Sequence, residues 1–134
     1  MKKLFLTFGV VISLTLLVAC KPEVVSTLKD ADAVTVYYYR TDKTVDRVVD
    51  KRIIKKDSPG LKAIIKWAKD NGSNWEPSNK VFLPDLIIEG KGFSLNVRKD
   101  FIVFNYKDGT YIRKTIINEY PWFKQQLGIV EPAK

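Results

Sequence analysis

Short runs of β-branched and aromatic residues, broken by turn residues, recur along this chain, and one segment between them has the helical period of apolar positions. Ala33–Arg40 (AVTVYYYR) is dense in β-branched and aromatic residues and predicts a strand. Thr41-Asp42-Lys43 turns the chain, and Thr44–Lys55 returns as a second strand. Its Val48-Val49 and Ile53-Ile54 doublets interrupt the alternation, so either one face is half wet or a bulge intervenes. The helical period follows. Ser58 can cap, Pro59 suits the first helical position, and Leu61, Ile64, Ile65 and Ala68 form an apolar stripe that Trp67 borders. Asn71-Gly72 supplies a left-handed stop.

Ser73–Lys80 (SNWEPSNK) reads as a loop carrying Trp75. Strands are expected at Val81–Leu83 and Leu86–Glu89, interrupted by Pro84. Gly90 and Gly92 mark a turn, and Phe93, Leu95 and Val97 alternate with polar residues on a strand with one buried face. Phe101–Tyr106 and Tyr111–Ile117 flank Asp108-Gly109, a hairpin signal because a primed turn needs positive φ. Asn118–Leu127 reads as a short helix with Trp122-Phe123 directed to the core, closed by Gly128. This order predicts an α+β fold: an antiparallel sheet of about five to six strands, one helix packed on a face, and a short C-terminal helix.

The start of the chain is different. Lys2 and Lys3 precede an uncharged apolar run, Leu4–Val18, of 15 residues. That is short of the roughly 20 that span a bilayer, and it has the order of a signal peptide. The only cysteine, Cys20, ends the run Leu17-Val18-Ala19-Cys20, which resembles the bacterial lipobox. The resemblance implies cleavage after Ala19, a diacylglycerol thioether on Cys20 and N-acylation of the new terminus. Lys21 stands where an aspartate would favour inner-membrane retention, so the resemblance implies the periplasmic face of the outer membrane. The expected organisation is a signal at 1–19, a lipidated cysteine and polar tether at 20–32, and one domain over 33–134. Extended, the 12 tether residues Lys21–Asp32 would reach about 40 Å.

Composition narrows the chemistry. There are 23 Lys and Arg against 15 Asp and Glu, a net charge of +8; Lys2 and Lys3 leave with the signal, so the mature charge is +6. The cations are spread along the chain; with an export signal they suit either ordinary solubility or an acidic protein or anionic surface, rather than nucleic acid. The chain has no histidine, and lipid consumes Cys20. This removes the commonest general base, the Ser-His and Cys-His pairs and the usual zinc ligands. Asp42, Asp46 and Asp50 interleave with Lys43, Arg47 and Lys51, the pattern of a solvated mixed-charge face. No metal set, cofactor motif or catalytic constellation is expected, and the chain is read as a binding protein rather than an enzyme.

Two constellations could bind a partner. In Tyr37-Tyr38-Tyr39-Arg40, Tyr37 and Tyr39 share one strand face; tyrosine and arginine are favoured at hot spots, and the alternative is a core rim with hydroxyls reaching water. Trp75 is either tucked over a core edge or offered to a partner. In overall look the chain is similar to the periplasmic immunity lipoproteins that protect bacteria from type VI secretion effectors. That similarity covers the signal, the lipobox and the strand-helix-strand layout, and carries over no functional residue. It implies an inhibitor that neutralises a toxin or hydrolase. The alternative is an outer-membrane accessory lipoprotein that docks on an assembly complex or an anionic glycan or lipid.

Overall fold

The alternating segments assemble into one seven-stranded antiparallel sheet with three helices on one of its faces. The computed structural model describes residues 23–42, 45–107 and 109–130. The signal segment, Cys20 and Lys21 lie outside the described residues. In chain order the elements are α1 (Val24–Asp30), β1 (Ala33–Asp42), β2 (Val45–Lys55), α2 (Pro59–Asp70), β3 (Glu76–Ser78), β4 (Leu86–Gly90), β5 (Phe93–Val97), β6 (Phe101–Tyr106), β7 (Gly109–Lys114) and α3 (Glu119–Gln126). The strand order is β2-β1-β4-β5-β6-β7-β3, every pair antiparallel. No helix among the described residues is long and apolar enough to cross a membrane.

The α+β class is as the periodicity predicts, with more strands than the expected five to six. The predicted β6–β7 hairpin forms, with Phe101 opposite Lys114 and Tyr106 opposite Gly109, its return strand running Gly109–Lys114 rather than the expected Tyr111–Ile117. Helix α2 begins with the expected cap, the Ser58 hydroxyl accepting from the Leu61 N–H at 3.3 Å; it ends without the expected left-handed residue, Asn71 standing at φ −118° with its N–H closing on the Trp67 carbonyl at 3.0 Å. The valine doublet resolves as a bulge. Tyr38 faces Asp50 and Tyr39 faces Val48, which leaves Val49 without a partner in β1.

Three segments depart from the sequence reading. The expected tether is helical over Val24–Asp30, and Val24 and Leu28, one turn apart, are buried in the core. Two buried aliphatic side chains on one face suffice to dock a short helix where no long apolar run exists. The loop reading of Ser73–Lys80 gives way to β3, whose three residues pair with Thr110–Ile112. Val81–Leu83 is not a strand. It lies in the 79–85 connection, which returns from β3 at one end of the sheet to β4. Side chains capture its backbone there: the Asn96 amide donates to the Leu83 carbonyl and accepts from the Asp85 N–H, both at 3.0 Å, and the Arg98 guanidinium donates to the Leu83 carbonyl.

The core lies between the sheet and the helices. Val34, Val36, Ile88, Leu95, Ile102 and Phe104 point toward it, and Leu61, Ile64 and Phe123 meet them from α2 and α3. Gly60 lets the start of α2 touch the end of α3, because a Cβ there would collide with the Gln126 carbonyl. Helix α3 ends with Gly128 in the left-handed region at φ 68°, the Gly128 and Ile129 N–H groups bonding back to the Gln125 and Lys124 carbonyls. Arg52 of β2 donates to the Leu127 and Gly128 carbonyls and so ties that helix end to the sheet.

Candidate binding face

Alternation decides what the sheet's other face offers. Cross-strand partners point the same way, so Tyr37, Ile87, Asn96, Val103 and Ile112 form one row on the face without helices. Over β5 and β6 the 79–85 connection covers that face. Phe82 packs on Phe101 with ring centroids 5.9 Å apart, Arg98 sits 5.9 Å from the Phe82 ring, and Val103 is buried. Over β1 and β2, among the described residues, none of the helices and no part of that connection lies above it. Tyr37 and Tyr39 stand side by side there, half-buried, with ring centroids 6.3 Å apart. Val48 pairs with Tyr39 and is 48% exposed; Ile53 pairs with Thr35 and is 70% exposed. The Lys51 ammonium lies 5.5 Å from the Tyr37 ring centre, a cation–π contact that places a positive charge within the patch.

The predicted site residues are therefore not one constellation. Tyr37 and Tyr39 share the open face as expected. Arg40 follows Tyr39 by one position, so its exposed side chain leaves from the opposite side of β1. Trp75 lies at the far edge beside β3, half-buried, its ring meeting Phe104 of the core at 6.2 Å in a T-shaped contact. Of the two alternatives open for Trp75, the tucked one matches this placement. Cys20 lies outside the described residues. Sequence reasoning did not single out Val48 and Ile53 as surface groups, although both belong to the doublets that break the β2 alternation.

Two polar clusters on the helix side were also missed. In one, the Tyr120 hydroxyl donates to Asp85 Oδ1 at 2.6 Å, and the Lys124 and Lys99 ammoniums lie 4.6 and 5.9 Å from the Tyr120 ring centre. Burial pushes the Asp85 carboxyl above its ordinary range, against the Tyr120 hydrogen bond and the Arg98, Lys99 and Lys124 charges, which all favour the anion. Burial and the Asp85 carboxylate together raise the Tyr120 phenol, which keeps its proton as a donor. A raised carboxyl in the folded state means stability that is fully present below about pH 4 and lost as pH rises through the raised value. Asp85→Asn, which retains an acceptor for Tyr120, is expected to match the parent melting temperature near pH 3 and to exceed it at pH 7. Paired thermal scans across that range check this; a parent that gains on the variant as pH rises contradicts it.

In the other cluster, Glu119 is buried and both its oxygens are engaged. Oε2 accepts from Trp67 Nε1 and from Arg113 Nη1, each at 2.8 Å, and Oε1 accepts from the Ile116 N–H at 2.8 Å. The Arg113 guanidinium also stacks 5.3 Å from the Trp67 ring centre. A shallow cleft of about 480 Å³ opens beside this cluster, with Ile117 and Trp122 in its wall. With both oxygens occupied, this carboxylate is arranged to hold α3, β7 and α2 together rather than to move a proton. Among the described residues, no three of His, Cys, Asp and Glu gather where they could hold a metal ion. No protein-family model, no curated protein and no solved structure matches the chain.

Proposed function

We propose that the chain is a lipid-anchored periplasmic protein that acts by binding another protein, most concretely as an inhibitor or immunity protein that neutralises a toxin or hydrolase. The observation that carries the binding role is the uncovered β1–β2 face, where Tyr37 and Tyr39 stand beside exposed Val48 and Ile53. Amphipathic rings ringed by aliphatic groups and cations make a surface that can desolvate on contact and still satisfy its hydroxyls. The positive net charge suits an acidic partner and speeds encounter. The anchor rests on the Leu17–Cys20 resemblance, and the inhibitory role on the similarity to immunity lipoproteins.

Capture from lysates of the source bacterium and its close competitors, at moderate salt to suppress acidic contaminants, tests the reading. One stoichiometric toxin-like hydrolase, inhibited by the protein, is the expected result. A resident outer-membrane complex would favour the accessory role instead. Tyr37→Ala is expected to weaken the captured complex about thirtyfold, the loss of a hot-spot aromatic worth about 2 kcal/mol. A folded Tyr37→Ala variant with unchanged affinity in titration calorimetry would take the open face out of the interface.

A further inference from the structure

The two edges of the sheet are guarded in different ways. At one end β3 is three residues long and contains Pro77, which has no N–H to offer a neighbour. At the other, β2 is eleven residues long, contains no proline and, among the described residues, pairs only with β1. Its guards are a bulge at Val49 and a row of charges. Asp50 is held by Arg52 at 2.5 Å, while Arg47, Lys51 and Lys55 are exposed. A cationic edge repels a second copy of itself and attracts an acidic strand. The guard is therefore selective, where the short proline-bearing edge is simply closed.

The backbone phase shows what the edge presents. The Lys56 N–H donates to the Asp32 carbonyl at 3.0 Å, continuing the β1–β2 ladder. Counting back by twos, Ile54, Arg52 and Asp50 turn their N–H groups toward β1, and Lys51, Ile53 and Lys55 turn theirs outward. The Tyr39 N–H, which donates to the Asp85 carbonyl at 2.8 Å on the other side of β1, gives the same phase independently. The residues with outward N–H groups also place their side chains on the open face, in line with Tyr37. Beyond the bulge, Asp50–Lys55 keeps regular register.

We propose that the outer edge of β2, along Asp50–Lys55, receives an extended acidic segment of a partner protein as an eighth strand. This rests on the reading of the β1–β2 face as the partner surface and names how that partner is gripped: main-chain hydrogen bonds along the edge give affinity, and carboxylates opposite Lys51 and Lys55 with an apolar residue opposite Ile53 give selectivity.

The test uses the full chain in detergent and a capped ten-residue peptide whose every second residue runs glutamate, valine, glutamate with threonine at the positions between, so that glutamates can face Lys51 and Lys55 and valine can face Ile53; the same peptide with lysine in place of glutamate is the control. Amide hydrogen exchange is read by nuclear magnetic resonance. The glutamate peptide is expected to slow exchange at Lys51, Ile53 and Lys55 at least tenfold, to leave Asp50, Arg52 and Ile54 unchanged, and to lose its effect in high salt. Ile53→Pro should abolish the slowing at Lys51 and Lys55; should that variant not fold, Lys51→Glu with Lys55→Glu should transfer the effect to the lysine peptide. No slowing, equal slowing by both peptides, or slowing that grows with protein concentration and no peptide would each overturn the proposal, the last in favour of a second copy. Peptide-induced shifts of the Tyr37 and Tyr39 rings with outward amides unprotected would remove the added strand and leave the face standing. Failure of the face itself shows separately, as full partner affinity in Tyr37→Ala.

Discussion

Glu119→Ala is expected to destabilise the fold by about 3–5 kcal/mol, because removing one partner strands a buried charge. The guanidinium of Arg113 would keep its cost of burial and lose its anion, and the Trp67 indole N–H and Ile116 N–H would lose their acceptors. Each neutral donor adds about 1 kcal/mol or more if no water replaces the carboxylate. Arg113 Nε already has no partner among the described residues, so little spare hydrogen bonding exists to absorb the change. Adding Arg113→Met to Glu119→Ala should recover part of the loss, since an apolar chain of similar length needs no counter-ion. Urea denaturation of the two variants and the parent measures this. A Glu119→Ala effect within about 0.5 kcal/mol would mean that the cluster is solvated and holds nothing together.

Leu28→Ala should be the next most damaging change, at about 2–5 kcal/mol for a fully buried leucine whose site cannot collapse. The prediction separates a docked helix from a tether. A tether residue would tolerate alanine within about 0.5 kcal/mol, and alanine even favours isolated helix. Helix α1 is only seven residues long, too short to persist by propensity alone, so its stability comes from Val24 and Leu28 packing against the core. Loss of Leu28 should therefore release the whole helix, and exchange at its amides should accelerate alongside the fall in stability. Unchanged protection over Val24–Asp30 with unchanged stability would return the segment to a tether.

What the chain disclosed in advance follows the range of the interactions involved. The β6–β7 hairpin and α2 rest on neighbours within a few positions, on a turn signal and on a Ser-Pro cap, and all of these are local. The β1 alternation likewise placed Tyr37 and Tyr39 on one face. Strand β3 is Glu-Pro-Ser, which has no strand preference of its own and is extended only because β7 lies beside it. Val81–Leu83 has strand preference and is not a strand, because Asn96 and Arg98, more than ten positions away, take its backbone. Helix α1 offered too few apolar positions for its period to register. The Glu119 cluster joins residues 52 and 6 positions apart. A hint did exist: on β7 the alternation puts Arg113 on the inward side with Tyr111, and an inward arginine requires a buried acid.

The docking of α1 also sets a standoff. With Val24 fixed in the core, three residues separate Cys20 from the fold, a leash of about 10 Å at full stretch where twelve would have given about 40 Å. Were Cys20 lipidated as proposed, the domain would ride against the headgroups instead of swinging above them. Glu23 and Lys91 of the β4–β5 turn line one cleft, while the end of β1 and the start of β2 lie at the opposite end of the strands. The near end would then be occupied by the bilayer, and a partner would have to arrive from the side or from above, along the length of β2.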